Sequence, residues 1–313
     1  MPDVLAIGNA IVDVFAHTDD AFLERHGLVK GSMALVDGAQ AEAIYDDMGP
    51  GVEVSGGSAA NTAAGVAALG GSAAFIGKVR DDQLGHVYRH DLRSIGVAFD
   101  VPAAPADDPD PTGRSLILVT PDAQRTMNTN LGIAVRLDEG DVDEELVASS
   151  SIVYAEGYLW DSDIAYGAIE KAFAVARSAG RKVALTLSDS FCVERHPDTF
   201  ARSIELGVDI LFANESEALA LTGASDFDAA VDAIAAIVPM AFVTRGALGA
   251  VATDSSGGRW RVPAHALMPA LVDTTGAGDL FAAGAMHGIV RGADPSTCAR
   301  LGALAAAEVI SHV

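Results

Sequence analysis

The chain has 313 residues, 50% of them hydrophobic, and its 43 acidic against 20 basic side chains give a formal net charge of −23 at pH 7. This balance argues against nucleic acid or an anionic membrane as the main partner, because both require a basic surface. Two cysteines, Cys192 and Cys298, cannot form a disulfide framework or a Cys-x-x-Cys zinc pattern. The sequence contains no recognisable signal peptide or membrane-spanning run, so we expect a cytoplasmic protein.

The first half of the chain predicts strands of two kinds. Apolar runs bounded by Gly, Asp or Pro predict strands at 4–7, 32–36, 73–79, 114–120 and 124–130, with a helix at 58–69. Residues 102–112 are rich in Pro and Asp and predict an exposed loop that leads into the hairpin. Because the hairpin does not fit a parallel series, we expect a small β-sheet lid built from about 12–17, 32–37 and 98–130.

The second half alternates strands and helices. Apolar runs predict strands at 151–155, 182–187, 208–213 and 240–244, and helical periodicity predicts helices at 163–179, 198–206, 215–222, 226–237, 277–291 and 295–310. This alternation is typical of parallel βαβ units with helices on both faces of the sheet. Length alone allows about two domains of roughly 150 residues, but α/β enzymes of this size often form one unit. We expect one α/β domain over residues 1–313, with the lid attached.

A glycine-rich segment, Asp273-Thr274-Thr275-Gly276-Ala277-Gly278-Asp279, lies where the helix 277–291 begins. Glycines separated by one small residue let successive backbone N–H groups converge at a helix start, which favours a bound anion. Asp279 on the first turn would lie beside that anion, where a carboxylate can take a proton from an attacking hydroxyl. A glycine-rich turn capped by Asp279 is the alternative, and this segment alone does not separate the two.

Two further segments place polar side chains near turns. Gly56 and Gly57 precede the helix 58–69 and allow a ligand to approach the backbone, and Asn61 lies one turn into that helix. Asp13 follows the first strand among apolar neighbours, so its carboxylate needs a polar partner such as a sugar hydroxyl. Each has a local alternative, with Ser58 as a helix cap and Asp13 as a turn cap.

Together, SGGSAANTAAGVAALG (55–70) and DTTGAGDLFAAG (273–284) resemble the two signature segments of the PfkB, or ribokinase-type, family of carbohydrate and nucleoside kinases. The likeness extends over nearly the whole chain. It implies a ribokinase-like fold and transfer of the ATP γ-phosphoryl group to a primary hydroxyl. The P-loop, the HRD and DFG triplets and the dinucleotide-binding glycine spacing are absent, so P-loop NTPases, protein kinases and Rossmann dehydrogenases are set aside.

The resemblance assigns roles around the glycine-rich segment. Asp279 is implied as the catalytic base and the backbone of Gly276–Gly278 as the anion hole, which agrees with the importance of positioning and electrostatics in phosphoryl transfer. Asp273 and Thr275 match positions that bind a monovalent cation, such as K⁺, in many members of the family.

The nucleotide side is implied by two shorter matches. Asn214-Glu215-Ser216-Glu217 resembles the Asn-x-x-Glu segment of the family, and Val243-Thr244-Arg245-Gly246 resembles its Thr-x-Gly turn. Asn214 and Glu217 are implied to hold Mg²⁺ and the phosphates through water. Thr244 and Gly246 are implied to lie along ATP.

Two positions favour a nucleoside over a free sugar. Ribokinases usually carry an Asn two places before the Asp of the first strand and a Lys after Gly-Gly, whereas this chain has Ile11 and Ser58. The sequence therefore looks more like the adenosine kinases of the family, in which Asp13, Gly57 and Asn61 would hold the ribose 2′- and 3′-hydroxyls. Conversion of adenosine to AMP is the expected reaction, with a ribokinase- or fructokinase-like sugar kinase as the alternative.

The base of a nucleoside would lie against apolar and aromatic side chains. Tyr158 is at the position where such kinases carry a stacking aromatic ring, although an ordinary tyrosine at the sheet edge is an equal alternative. Leu35, Met127 and Leu131 are further candidates for apolar walls.

The remaining expectations concern the lid and the end of the chain. Arg114 and Arg125 are interpreted as a charged, solvated edge of the hairpin, with contact to phosphate or substrate as the alternative. Exposed lid strands can pair two chains, so we expect a monomer or a lid-mediated homodimer. Members of the family usually continue past the last helix with a Gly-Ala-x-Pro segment, and its absence implies either a truncated chain or a nucleotide site that is closed differently. A catalytically inactive sensor is disfavoured because Asp279 is present.

Overall fold

The computed structural model of the chain describes residues 1–122, 124–265 and 274–311. The strands of these residues, in chain order, are β1 (Val4–Ile7), β2 (Ile11–His17), β3 (Met33–Leu35), β4 (Val52–Gly56), β5 (Ala73–Ile76), β6 (Val97–Ala98), β7 (Gly113–Val119), β8 (Arg125–Asn130), β9 (Ile152–Glu156), β10 (Lys182–Thr186), β11 (Ile210–Asn214), β12 (Met240–Thr244), β13 (Ala250–Asp254) and β14 (Arg259–Val262).

The α-helices of the same residues are α1 (Asp20–Arg25), α2 (Gly38–Asp47), α3 (Ser58–Ala68), α4 (Gln83–Ser94), α5 (Glu144–Ser149), α6 (Asp163–Ser178), α7 (Ser190–Arg195), α8 (Pro197–Glu205), α9 (Glu215–Thr222), α10 (Phe227–Ala235), α11 (Ala277–Val290) and α12 (Pro295–Val309). Short 3₁₀ helices occupy Gly132–Arg136, Glu139–Asp141, Gly157–Asp161 and Gly246–Leu248. None of the helices in the described part of the chain has the length and apolar character needed to span a bilayer.

A nine-stranded sheet forms the centre of the molecule, in the order β14-β13-β12-β11-β10-β9-β1-β5-β6. Neighbouring strands from β12 to β6 are parallel, and β13 and β14 add an antiparallel hairpin at one edge. Every residue of β1 and β5 is buried, as expected for central strands of a sheet whose two faces are covered. The predicted α/β class with a mostly parallel sheet is confirmed.

The order of the large sheet reverses next to β1. The chain proceeds from β1 to β5 and β6 on one side, and β9 to β12 extend from the other side. Ligands of open α/β sheets bind where the carboxyl ends of strands meet at such a reversal. The segments that follow β1 and β9 are therefore placed where a binding site is expected.

A second, five-stranded sheet has the order β3-β8-β7-β2-β4. Its β7–β8 hairpin agrees with the predicted small sheet. The strand β4 also belongs to this sheet but lies outside the segments that the sequence indicated, and residues 98–112 contribute no strand to it. The loop 102–112 is irregular, as expected, but it is not exposed throughout, because Thr112 is buried and its hydroxyl donates to Asp82.

The expectation that Arg114 is solvated is wrong. Its side chain is 6% exposed, forms an ion pair with Glu42 of α2, and lies over the ring of Tyr45, with 4.9 Å between the guanidinium carbon and the ring centroid. Tyr45 in turn donates to Glu53 of β4 at 2.6 Å. Because α2 covers this face of the small sheet, a charge that would otherwise be solvated is buried and paired.

The helix α11, whose first turn carries Asp279, packs closely on α12. A Cβ atom at Gly284 of α11 would lie 2.5 Å from the carbonyl oxygen of Leu301, and one at Gly302 of α12 would lie 2.7 Å from that of Phe281. The backbones therefore approach more closely than any larger side chain permits. This contact fixes the position of α11 relative to the rest of the fold.

We predict that Gly284→Ala lowers the free energy of unfolding by about 1–3 kcal/mol, because the added methyl group forces the two helices apart. Gly38→Ala is the matched control, since a Cβ at Gly38 meets no atom within 4 Å. The control should be neutral or stabilising by up to about 1 kcal/mol, as expected for glycine to alanine in a helix. Thermal unfolding of both variants is the measurement, and equal midpoints would contradict the close contact.

Candidate active site

A cavity of about 750 Å³ opens at the carboxyl edge of the large sheet and is also lined by the small sheet. Most of the site residues singled out in the sequence line it together: Asp13, Gly57, Asn61, Tyr158, Asn214, Glu217, Thr244, Thr275, Gly276, Ala277, Gly278 and Asp279. Leu35, Met127 and Leu131 also line it. Gly246 lies in a neighbouring cavity instead, and Asp273 lies outside the described residues.

Asp279 is held between two helix N-termini. It lies on the first turn of α11, where its carboxylate accepts hydrogen bonds from the Ser58 hydroxyl at 2.7 Å and from the Asn61 side-chain amide at 3.2 Å. Burial raises the pKa of Asp279, and the two hydrogen bonds act in the opposite direction. The result is a fixed, partly buried carboxylate that faces the cavity.

No side chain caps the backbone donors at the start of α11, although the Ala277 N–H donates to the carbonyl oxygen of Thr274 at 3.2 Å. Gly276 caps the helix with a φ of +75°, a left-handed conformation that glycine adopts without strain, and no side chain caps the helix there. The first N–H groups of an α-helix have no acceptor within the helix and carry its positive dipole end. Gly276, Ala277 and Gly278 line the cavity, so this end of α11 can bind an anion beside Asp279.

Glu156 joins the two segments that carry the other polar groups. At the end of β9 it is 1% exposed, and its carboxylate accepts from the backbone and side-chain N–H groups of Asn9, at 2.8 and 3.0 Å, and from the backbone of Ala59 at 2.8 Å. Gly57, with a φ of +95°, passes so close that a Cβ would lie 2.3 Å from the carbonyl oxygen of Asn9. The turn after β1 and the start of α3 are therefore fixed to each other.

Asp13 lines the same cavity as Asp279, near enough for the two carboxylates to repel each other. Burial, and to a smaller extent the charge of Asp279, raise the pKa of Asp13 to about 7. The carboxyl thus lacks a protein cation to compensate its charge, which is the situation of a group that a ligand is meant to satisfy. Gly56 packs directly against the Asp13 carboxylate.

Asn214 and Glu217 bind each other in a capping box at the start of α9. The Glu217 carboxylate accepts from the Asn214 backbone at 2.9 Å and from its side-chain amide at 2.5 Å, while the Asn214 side-chain oxygen accepts from the Glu217 backbone at 2.9 Å. Burial raises the pKa of Glu217 to about 7. The two side chains therefore bind each other. Both residues also line the cavity, and the Glu217 carboxylate keeps lone pairs that can accept hydrogen bonds from water.

A second cavity of about 510 Å³ lies next to the first and shares Thr244, Gly278 and Phe281 with it. It is also lined by Ala303, Ala306 and Ala307 of α12, by Ile310 directly after this helix, and by Gly246, Gly249 and His265. A flat apolar group bound here would lie beside the N-terminus of α11. The two cavities together can hold a ligand with an apolar end and an anionic end.

Several cavity residues were missed in the sequence. Glu156 ends an apolar strand, which is a detectable signal because an acid in a buried strand needs partners. The sequence offers Ser58 as a cap of α3, whereas Gly57 is the cap and the Ser58 hydroxyl donates to Asp279. Phe191 lines the cavity with 67% of its surface exposed, and no pattern in the sequence separates it from core phenylalanines.

The oxygen donors around Asp279 and Glu217 suit a hard cation. In the described residues no group of three or more His, Cys, Asp or Glu side chains is arranged to hold a metal ion by itself. Mg²⁺ usually binds through one or two carboxylates, water and substrate phosphates. The buried Glu217 carboxylate beside the start of α11 fits that mode of binding.

The raised pKa of Asp13 predicts a pH-dependent stability. An aspartate in an unfolded chain has a pKa near 3.9, so between about pH 4 and 7 the folded chain binds more protons than the unfolded chain and stability falls as the pH rises through 7. Asp13→Asn should therefore unfold less readily than the native chain at pH 8, by about 1–3 kcal/mol, and the difference should shrink toward pH 4.

The measurement is the midpoint of thermal unfolding between pH 4 and 8 without ligand. Asp294→Asn is a control of opposite sign, since hydrogen bonds from Thr297 lower the pKa of Asp294, the cap of α12, and its contribution is lost as the pH falls. A pH profile that Asp13→Asn leaves unchanged would contradict the burial of that carboxyl.

Comparison with known proteins agrees with this arrangement. Residues 44–313 match the pfkB family of carbohydrate kinases. The structure of the adenosine kinase from Sinorhizobium meliloti is 50% identical, with a TM-score of 0.90 over 100% of this chain and 94% of that chain.

Two other relatives are more distant. The adenosine kinase of Saccharomyces cerevisiae is 29% identical over 330 residues, covering 99% of this chain and 95% of its own length. The guanosine-inosine kinase of Escherichia coli is 27% identical over 256 residues, and the match spans 79% of this chain but 58% of that kinase. The family match covers most of the chain and includes both glycine-rich segments of the site, so the chain belongs to the pfkB family of carbohydrate kinases.

Proposed function

We propose that this chain is an ATP-dependent kinase that phosphorylates the primary hydroxyl of a nucleoside, with adenosine as substrate and AMP as product. One observation carries the proposal: Asp279 is fixed by Ser58 and Asn61 at the N-terminus of α11, in the same cavity as Asp13. A base, an anion-binding helix end and an unpaired carboxyl for sugar hydroxyls are thereby grouped in one cavity.

The reaction proceeds by direct transfer. The hydroxyl oxygen forms a bond to the γ-phosphorus of ATP, the bond from that phosphorus to the β–γ bridging oxygen breaks, and the hydroxyl proton goes to the Asp279 carboxylate. Charge develops on the transferred oxygens, and the N–H groups of Gly276–Gly278 would stabilise it. The Ala277 N–H, which donates to the carbonyl oxygen of Thr274 at 3.2 Å, would exchange that bond for one to the phosphate. Burial raises the pKa of Asp279, which makes it a better proton acceptor than an exposed aspartate.

ATP is assigned to the second cavity, with its phosphates at the start of α11. Thr244 and Gly246 border that cavity, which supports their role along the nucleotide. Asn214 and Glu217 would hold Mg²⁺ through water, and the ion, when bound, would neutralise phosphate charge. The role of Thr275 and Asp273 in binding K⁺ stays a prediction from the family resemblance.

The nucleoside is assigned to the space between Asp13 and the aromatic side chains. Asp13, Asn61 and the backbone of Gly57 would bind the ribose hydroxyls. Tyr158 and Phe191 line the other part of the cavity, with Met33 and Leu35 of β3, which are more than half exposed. A free sugar would leave these apolar surfaces in water, so the lining supports a base-bearing substrate over the sugar-kinase alternative.

The five-stranded sheet is proposed as a lid. Asp13, Met33, Leu35 and Met127 project from it into the cavity, so movement of this sheet would open or close the site. Its exposed Val52 and Val54, together with Met33 and Leu35, leave apolar surface on both edge strands. Pairing of two chains through this sheet stays a prediction.

Asp279→Asn should abolish turnover. Asparagine keeps the size of the side chain but cannot accept the proton, and loss of a general base costs typically 10²–10⁴-fold in rate. Binding of MgATP, measured by calorimetry, should survive, because the anion-binding N–H groups belong to the backbone. Asp226→Asn, an exposed helix cap, is the control and should keep full activity. Near-native turnover of the Asp279 variant would remove the proposed mechanism.

Adenosine should be the preferred acceptor over ribose and fructose, compared as kcat/KM under one Mg²⁺ and K⁺ condition. Asp13→Ala should raise the KM for adenosine strongly, because hydrogen bonds to a charged group are worth about 1.5–3 kcal/mol each, and the KM for ATP should change little. Inosine and guanosine belong in the same panel. A preference for either free sugar would reject the nucleoside assignment and leave the phosphoryl-transfer mechanism standing.

A further inference from the structure

A strained turn of three residues lies between β10 and α7. The backbone N–H of Asp189 donates to the carbonyl oxygen of Leu187 at 2.8 Å, and Ser188 between them has a φ of +68°. Within the described chain Ser188 is the sole residue other than glycine in this left-handed region. A γ-turn with positive φ at its centre is rare and strained, and such strain persists where the surrounding structure makes use of it.

The side chain and the carbonyl group of Ser188 both bind the segment that carries Tyr158. The Ser188 hydroxyl accepts from the backbone N–H of Gly157 at 2.8 Å, and the Ser188 carbonyl oxygen accepts from the Tyr158 hydroxyl at 3.2 Å. Glycine would adopt this φ without strain. Glycine would, however, lack the hydroxyl that holds Gly157. Serine at this position is therefore explained by the bond to Gly157 and not by the turn.

The same turn sets the direction of α7. Asp189 caps this helix by accepting from the backbone N–H of Phe191 at 2.6 Å. The Phe191 side chain is exposed and lines the cavity, as do Tyr158, Ser188 and Asp189. One turn thus connects the two aromatic side chains of this part of the cavity, the first through two hydrogen bonds and the second through the chain.

We propose that Ser188 is a positioning residue that fixes the separation of Tyr158 and Phe191 so that a planar base fits between them. Ser188 acts through these two rings and not on the reacting atoms. The inference rests on the proposed function, because it requires a substrate that carries a base. It implies that Ser188 affects the affinity for the nucleoside and not the transfer step.

The test is a set of steady-state measurements with adenosine and ATP. Ser188→Gly keeps the turn but loses the bond to Gly157, and one hydrogen bond corresponds to about 3–10-fold in the KM for adenosine. The kcat and the KM for ATP should stay within about twofold of native, a split that general distortion would not produce. Ser256→Gly, the same change in the exposed turn between β13 and β14, whose hydroxyl also makes a hydrogen bond but which lies outside both cavities, is the matched control and should change neither KM.

Tyr158→Phe provides a second route that leaves the turn intact. It removes the bond to the Ser188 carbonyl and keeps the ring, so the KM for adenosine should rise in the same direction. In the double variant, the increase in the KM for adenosine should be smaller than the product of the two single increases, since both changes act on the position of one ring.

Two negative results have different meanings. If the native chain does not phosphorylate adenosine, the proposed function and this inference both fail. If it does, and Ser188→Gly leaves the KM for adenosine within twofold or raises the KM for ATP equally, only the role of Ser188 is overturned.

Discussion

Two hydrogen bonds to the Asp279 carboxylate hold together parts of the chain that are 221 and 218 residues apart. Their donors, Ser58 and Asn61, lie on the first turn of α3, and Asp279 lies on the first turn of α11. Two helix N-termini, each with a positive dipole end, therefore converge on one carboxylate. This compensates part of the cost of burying the charge, and it places both glycine-rich turns beside the same volume.

The cavity that results is poor in positive charge. Asp13, Glu156 and Glu217 each have a pKa raised to about 7, mainly by burial. Among the described residues that line it, the single basic side chain is Arg195, which is already bound to Asp161 at 2.9 Å. A polyphosphate would meet repulsion here unless a divalent cation accompanied it. The electrostatics of the site thus supply a physical reason for the Mg²⁺ dependence that we propose.

The sequence predicted what depends on local pattern. The strands β9 to β12 and their helices follow from apolar periodicity, and the turns at Gly57 and Gly276 follow from glycine spacing, because both signals are local. The burial of Arg114 could not be predicted, since it depends on α2 covering one face of the small sheet. Phe191 could not be predicted because its contact with the cavity depends on where α7 lies in the fold. Glu156, by contrast, is detectable as an acid at the end of an apolar strand.

The strand pairing of the small sheet determines which side chains lie next to each other on the face that lines the cavity. Asp13 of β2 pairs with Ser115 of β7, Ser115 with Thr129 of β8, and Thr129 with Leu35 of β3, so these four side chains form one row across the strands. The Thr129 hydroxyl donates to Ser115 at 2.9 Å, which leaves the middle of the row polar but satisfied.

That row runs from an unpaired carboxyl at β2 to an exposed leucine at the edge strand β3, while Met33 and Met127 extend the apolar end in the neighbouring row. A ligand lying across the strands meets hydrogen-bonding groups at one end and apolar surface at the other. A nucleoside likewise has a polar end, the sugar hydroxyls, and a flat, less polar end, the base. A free hexose or pentose is polar throughout. The pairing register, which no single strand reveals, thus supports the nucleoside and predicts its orientation, with the ribose against β2 and the base toward β3.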